Sequence, residues 1–216
     1  MSEKYVQRDH LEYPDTTMFQ MIEKIAQKWP DEPAIEFYGK KISYIKFVER
    51  IERCARAFAA IGIKPGDRVT LCMPNIPQCL ESFYALNRIG AVANMVHPMS
   101  AQTEITFYLN ISKSKAIVTV DMFYKTVKAA IEESDHPVTA IVTRMQDELP
   151  QPYGLLFMLK AGRKFLKYPD GENSMLYTAF LKKRARPLCR RSPLKNTALR
   201  SSSTAAAPPV RRKVSA

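Results

Sequence analysis

Apolar positions recur along this chain at two periods, and the switches between them mark out its elements. Met18, Met21, Ile22, Ile25, Ala26 and Trp29 follow two threonines at intervals of three and four. That spacing predicts a helix capped by Thr16 or Thr17 and ended by Trp29-Pro30. Residues 34–38 and 42–44 are short strand-like runs split by Gly39-Lys40, the pattern of a hairpin. Tyr44, Phe47, Val48, Ile51, Ala55, Phe58 and Ala59 then lie on one helical face, with Glu49, Arg50, Glu52, Arg53 and Arg56 largely off it, and Gly62 closes the helix.

After Lys64-Pro65-Gly66-Asp67, the run 68–73 has the β-branched and apolar content of a buried strand. Pro74-Asn75-Ile76-Pro77 breaks it and leads into a helix whose expected inward stripe is Leu80, Phe83, Tyr84 and Asn87, stopped by Gly90. A strand over 91–96 follows. The unit repeats as helix 102–111 with strand 116–120, and as helix 122–133 with strand 138–143. Strands alternating with single helices require crossover connections, so the predicted fold class is α/β: a mostly parallel, doubly wound sheet with flanking helices. Beyond Thr143 the rhythm weakens. Residues 144–180 read as loop with one amphipathic helix, 155–166, whose Lys160, Arg163, Lys164 and Lys167 make peripheral contact of 155–167 with an anionic membrane a competing reading.

Charge divides the chain at Leu181. It has 33 basic and 21 acidic residues, and residues 181–216 hold eleven of the basic ones and none of the acidic ones. The first 180 residues therefore carry 22 against 21, a net of +1, and form the part able to build a core. The tail is rich in Ser, Ala and Pro, which suits disorder, and lacks aromatic residues for base stacking, so no specific nucleic acid partner is expected.

Cys54, Cys72, Cys79 and Cys189 show no metal-ligand spacing, and three of them sit in apolar-periodic segments as free buried thiols. His10, His97 and His136 are scattered without a nucleophile nearby. The polar N-terminus has no secretory pattern, and the longest apolar run, 155–159, falls far short of a membrane span. A cytoplasmic protein is expected.

From Ile42 to Ile105 the segments resemble the N-terminal part of the AMP-forming adenylate ligases, the superfamily of acyl-CoA synthetases, luciferases and peptide-synthetase adenylation domains. The resemblance rests on Ile42-Ser43-Tyr44, the string from Gly62 to Val69, Met73-Pro74-Asn75-Ile76-Pro77, Phe83-Tyr84-Ala85, Arg88-Ile89-Gly90-Ala91-Val92, His97-Pro98 and Glu104-Ile105, in that order and spacing. These strings make turns and element ends, so they read as scaffold. Asp67 and Arg88 are the charged members expected to be paired.

The resemblance implies attack of a carboxylic acid on the α-phosphate of ATP, then of the CoA thiol on the acyl-adenylate, with magnesium bridging phosphate oxygens. It places that chemistry on a Gly/Ser/Thr-rich loop ending in Lys, an adenine site and a mobile C-terminal domain. The seven glycines stand no closer than four residues apart, so no such loop is written here, and no catalytic, cofactor-binding or metal-binding residue carries over. The expected partners of the intact enzyme are carboxylic acid, ATP and CoA. Residues 1–180 are then an incomplete N-terminal subdomain, inactive by itself. Two alternatives stand beside it: a binding module whose basic tail grips nucleic acid or an anionic membrane, and a sheet that holds its own nucleotide at the loops 74–77, 97–101 and Asp121.

Residues 181–216 are expected to be an out-of-frame translation. Codons for Tyr-Ser-Gly-Gly-Thr-Thr-Gly-Lys, read one base later, can yield Thr-Ala-Ala-Ala-Pro-Pro-Val-Arg, the string at Thr204 to Arg211.

Overall fold

A computed structural model describes residues 14–150, 153 and 173–183. A capping box starts the first helix, α1 (Met18–Lys28): the Thr17 hydroxyl accepts from the Gln20 amide while the Gln20 side chain accepts from the Thr17 amide. Strands β1 (Pro33–Phe37) and β2 (Lys40–Ser43) form an antiparallel hairpin, with Tyr38 and Gly39 at φ 48° and 79° in its two-residue turn. The long helix α2 (Tyr44–Ala60) follows directly.

The remaining elements alternate as expected: β3 (Arg68–Cys72), α3 (Pro77–Ile89), β4 (Val92–Met95), α4 (Gln102–Ser112), β5 (Ala116–Val120), α5 (Tyr124–Glu132) and β6 (Thr139–Thr143). Two short 3-10 turns, Asp121–Phe123 and Met145–Asp147, flank the last two strand ends. The sheet runs β4-β3-β5-β6-β7, every pair parallel, where β7 is Ser174–Leu176. A single-turn helix, α6 (Tyr177–Phe180), ends the described fold. Among the described residues no helix is long and apolar enough to cross a membrane.

Strand alternation splits the core in two. Val69 and Leu71 of β3, Ala116, Val118 and Val120 of β5 and Ile141 of β6 face α1, α2, α3 and α6, whereas Cys72, Ile117, Ala140 and Val142 face α4 and α5. Helices therefore cover both faces. Full burial of side chains such as Phe58, Ile51 and Leu86 contributes about 1.5–3 kcal/mol each.

Three expectations change. In α1 the buried positions are Phe19 and Ala26, while Met18, Met21 and Trp29 stay exposed, because the helix is tied to α3 by the Phe19 amide donating to Asn87 Oδ1 at 2.9 Å. In α3 the inward stripe is Gln78, Glu81, Ser82, Ala85 and Leu86, and Leu80 is exposed. This helix is wedged between α2 and the sheet, so small residues face the closest approach. Phe83 and Tyr84 pack from its flank, where Tyr84 meets Phe47 edge to face at 5.7 Å. The third change is β7 with α6, in a stretch that the sequence pattern gives as loop. The predicted amphipathic helix over 155–166, the membrane contact of 155–167, Cys189 and most of the 181–216 tail lie outside the described residues.

Candidate functional site at the carboxyl ends of the strands

The order in which strands are added reverses at β3, with β4 on one side and β5 on the other, while all strands stay parallel. Open α/β sheets bind ligands outside the carboxyl ends of the strands at such a reversal. Here β3 runs into 74–77 and the N-terminus of α3, β4 into 97–101, β5 into Asp121 and β6 into Arg144.

Hydrogen-bond acceptors dominate this end. The Gln78 amide nitrogen donates to the Arg144 carbonyl at 3.3 Å, which leaves its buried Oε1 without a partner. Asp121 Oδ2 and Thr143 Oγ1 are likewise buried and unpaired, although Asp121 Oδ1 accepts from the Met122 amide at 3.0 Å. Burial pushes the Asp121 carboxyl above the usual carboxylate range, and the charge of Asp147 adds to this while Arg144 opposes it. Asp147 is raised for the same reason, burial first. His97 is exposed; its Nδ1 accepts from the Met99 amide at 3.2 Å, and its carbonyl accepts from the Cys72 thiol at 3.8 Å.

Asp121 Oδ2, Thr143 Oγ1 and Gln78 Oε1 are the buried oxygens at this end without a partner. Phosphates need clustered N–H groups and cations. Among the described residues no group of three or more His, Cys, Asp or Glu could hold a metal ion. The loops 74–77, 97–101 and Asp121 do converge on one end of the sheet, but Gln78, Thr143, Arg144 and Asp147 belong there as well. Each is within two positions of a strand end or helix start, which is the signal that would have found them.

Among the described residues, the densest charge cluster lies elsewhere. Arg50 of α2 donates through Nη1 to Glu81 Oε1 and to Glu148 Oε1, each at 2.9 Å. Lys40 of β2 reaches Glu148 Oε2 at 3.0 Å, and the Tyr177 hydroxyl donates to Glu81 Oε2 at 3.3 Å and to the Cys54 sulfur at 3.5 Å. Five parts of the chain meet there. Burial raises the Glu81 carboxyl above its usual range and opposes the guanidinium of Arg50 less than its hydrogen bonds and carboxylate neighbours support it. Sequence reasoning missed Glu81; its place on the stripe 78, 81, 82, 85 was the available sign.

Asp67 and Arg88 are paired, and three cysteines are buried. Asp67 Oδ1 meets Lys115 Nζ at 2.8 Å while Oδ2 accepts from the Lys64 amide, and Arg88 Nε meets Glu52 at 2.8 Å with its guanidinium over the Phe19 ring. Both expected pairings hold. Burial pushes the Cys54 thiol up to about 12 and those of Cys72 and Cys79 up to about 11, well away from reactive thiolates. His136 bridges Asp135 and the Ser114 carbonyl.

The sequence profile of the family described as AMP-binding enzyme matches residues 22–170, well over half of the chain. This chain belongs to the AMP-binding enzyme family. Among curated relatives, a long-chain-fatty-acid–CoA ligase of Bacillus subtilis is 27% identical over 155 residues, 71% of this chain and 27% of that one. One of the same description from Escherichia coli O157:H7 is 33% identical over 147 residues, 65% of this chain and 25% of that one. The crystal structure of a coronafacic acid ligase from Pectobacterium brasiliense overlays with a TM-score of 0.62 at 21% identity, over 78% of this chain and 30% of that one, and so supports the fold. The chain spans about a quarter of the length of the curated relatives it matches. Within this chain, the strings that carry the resemblance are joined to one another. The Gly66 amide donates to the Gly90 carbonyl at 2.8 Å and the Val92 amide to the Asp67 carbonyl at 2.8 Å, with both glycines in the left-handed region at φ 84° and 78°.

Proposed function

We propose that the chain is the N-terminal scaffold portion of an ATP-dependent acid–CoA ligase, without turnover of its own. The intact enzyme would join a carboxylic acid, a long-chain fatty acid on the pattern of the curated relatives' names, to CoA through an acyl-adenylate in the cytoplasm. The observation that carries this reading is the family match over residues 22–170 in a chain about a quarter as long as its relatives.

Purified chain incubated with ATP, magnesium, CoA and a long-chain fatty acid should yield no acyl-CoA above a protein-free blank. Thioester formation by the chain alone would overturn the reading. The basic tail, 181–216, is then an out-of-frame stretch rather than a binding element. Genomic sequence around the codons for 170–216 tests this, because the neighbouring frame should encode Gly-Gly-Thr-Thr-Gly.

A further inference from the structure

The string Met95-Val96-His97-Pro98-Met99, at the end of β4, alternates two thioethers with an imidazole. The Val96 amide donates to the Leu71 carbonyl at 3.0 Å, so the ladder with β3 continues past Met95, and Val96 itself is buried on the side of α4 and α5. Its neighbours Met95 and His97 therefore project from the opposite side of the extended chain, about 6.5 Å apart along it. A tight turn follows. The Ser100 amide donates to the His97 carbonyl at 3.1 Å, and the His97 ring folds over the turn so that Nδ1 accepts from the Met99 amide at 3.2 Å.

All three side chains are open to a ligand. Met95 is 52% and Met99 77% exposed, and His97 is exposed as well. Methionine is unbranched with three rotatable bonds, so both sulfurs can swing onto a ring nitrogen beside them. Thioether sulfur and imidazole nitrogen are soft to borderline donors, a set that suits Cu(I) and its analogue Ag(I) rather than hard ions. Hard divalent ions have no rival set nearby, since among the described residues no group of three or more His, Cys, Asp or Glu could hold one. Met18, Met21 and Met122 are exposed too, but neither α1 nor the turn Asp121–Phe123 carries a histidine.

We propose that Met95, His97 and Met99 bind one soft monovalent metal ion, Cu(I) or Ag(I), at the carboxyl end of β4. The ion takes one lone pair from each sulfur and one from a ring nitrogen, with no change of oxidation state. In the neutral ring the Met99 amide donates to Nδ1, so the ring proton is on Nε2. Coordination through Nε2 moves that proton to Nδ1, and coordination through Nδ1 takes the lone pair that the amide uses. Both routes release the Met99 amide from the ring and leave the imidazole neutral, with no proton lost.

The test titrates the full chain with silver nitrate in chloride-free buffer and follows isotope-labelled methionine methyl groups and backbone amides by NMR. The chain carries Cys189→Ser, which removes the thiol outside the described residues. The methyl signals of Met95 and Met99 and the Met99 amide should shift together and saturate at one ion per chain, while the methyls of Met18, Met21 and Met122 stay in place. Cu(I) kept reduced under nitrogen should displace Ag(I) from the same signals, and Mg(II) should leave them unmoved. His97→Ala and Met99→Leu should each weaken Ag(I) binding at least tenfold, and Met122→Leu should not. Met99→Leu changes an exposed side chain at nearly constant volume, so its unfolding midpoint should match the wild type. Shifts shared by all the exposed methionines alike, silver held only by the thiols of Cys54, Cys72 and Cys79 with Met95 and Met99 unmoved, or an affinity untouched by Met99→Leu would each overturn the proposal.

Discussion

Arg50 holds Glu81 at 2.9 Å across the interface of α2 and α3, and the carboxylate it holds is almost fully buried. The same guanidinium nitrogen also holds Glu148, and the far oxygen of Glu81 accepts from Tyr177. A charge pair thus joins the two helices of the larger core to the segment after β6 and to the last helix of the fold.

Removing one member of such a pair costs far more than removing both. Arg50→Ala leaves Glu81 charged and buried, and should destabilise the fold by about 3–5 kcal/mol. Arg50→Met combined with Glu81→Leu should fall within about 1.5 kcal/mol of the wild type, since well-packed apolar replacements of buried pairs are often neutral. Urea unfolding of the two single variants and the double variant measures the coupling.

The pH dependence has two opposing parts. Burial raises the Glu81 pKa in the fold above its unfolded value, so the folded chain binds that proton first, and the contribution of Glu81 to stability grows as pH falls through its folded pKa and is fully present below the unfolded one. Asp67 behaves in the reverse sense. The hydrogen bond from Lys115 holds its pKa down, so its stabilisation is present above the unfolded value and is lost as pH falls through the lower folded one. In unfolding midpoints followed from neutral to acid pH, Glu81→Gln should steepen the acid loss of stability and Asp67→Asn should flatten it.

Phe58 and Phe180 meet with ring centroids 4.8 Å apart, and both are fully buried. Either residue changed to Ala should cost about 3–5 kcal/mol. The Phe180 variant matters more for the architecture, since it tests whether residues 174–180 belong to the same cooperative unit as the sheet. A thermal scan showing an unchanged midpoint for Phe180→Ala would detach β7 and α6 from that unit.

Gly90 ends α3 at φ 78° and accepts the Gly66 amide, linking two turns. Gly90→Ala should cost about 1 kcal/mol through the left-handed backbone alone, readable as a lower urea midpoint with unchanged slope.

The fold was legible wherever an element was long enough to show its period. β3, β5 and β6 stand within a residue of their predicted bounds, because buried parallel strands read as unbroken β-branched runs. β7 was not legible, since three residues show no alternation and the strand is set by pairing with β6. The stripe on α3 is not legible from large apolar residues, because the close approach to α2 selects Ser82 and Ala85. The pairings of Asp67 and Arg88 followed from charges fixed at element ends. The Arg50, Glu81, Glu148 and Tyr177 cluster did not, since its members are up to 127 positions apart (177 − 50) and meet only through the tertiary fold.

Acid-dependent exchange of labelled pyrophosphate into ATP tests the central claim most directly, because it reads adenylate formation without needing CoA. The full chain with magnesium, ATP and a long-chain fatty acid should incorporate no more label than the protein-free blank. Incorporation that rises with fatty acid would contradict the account.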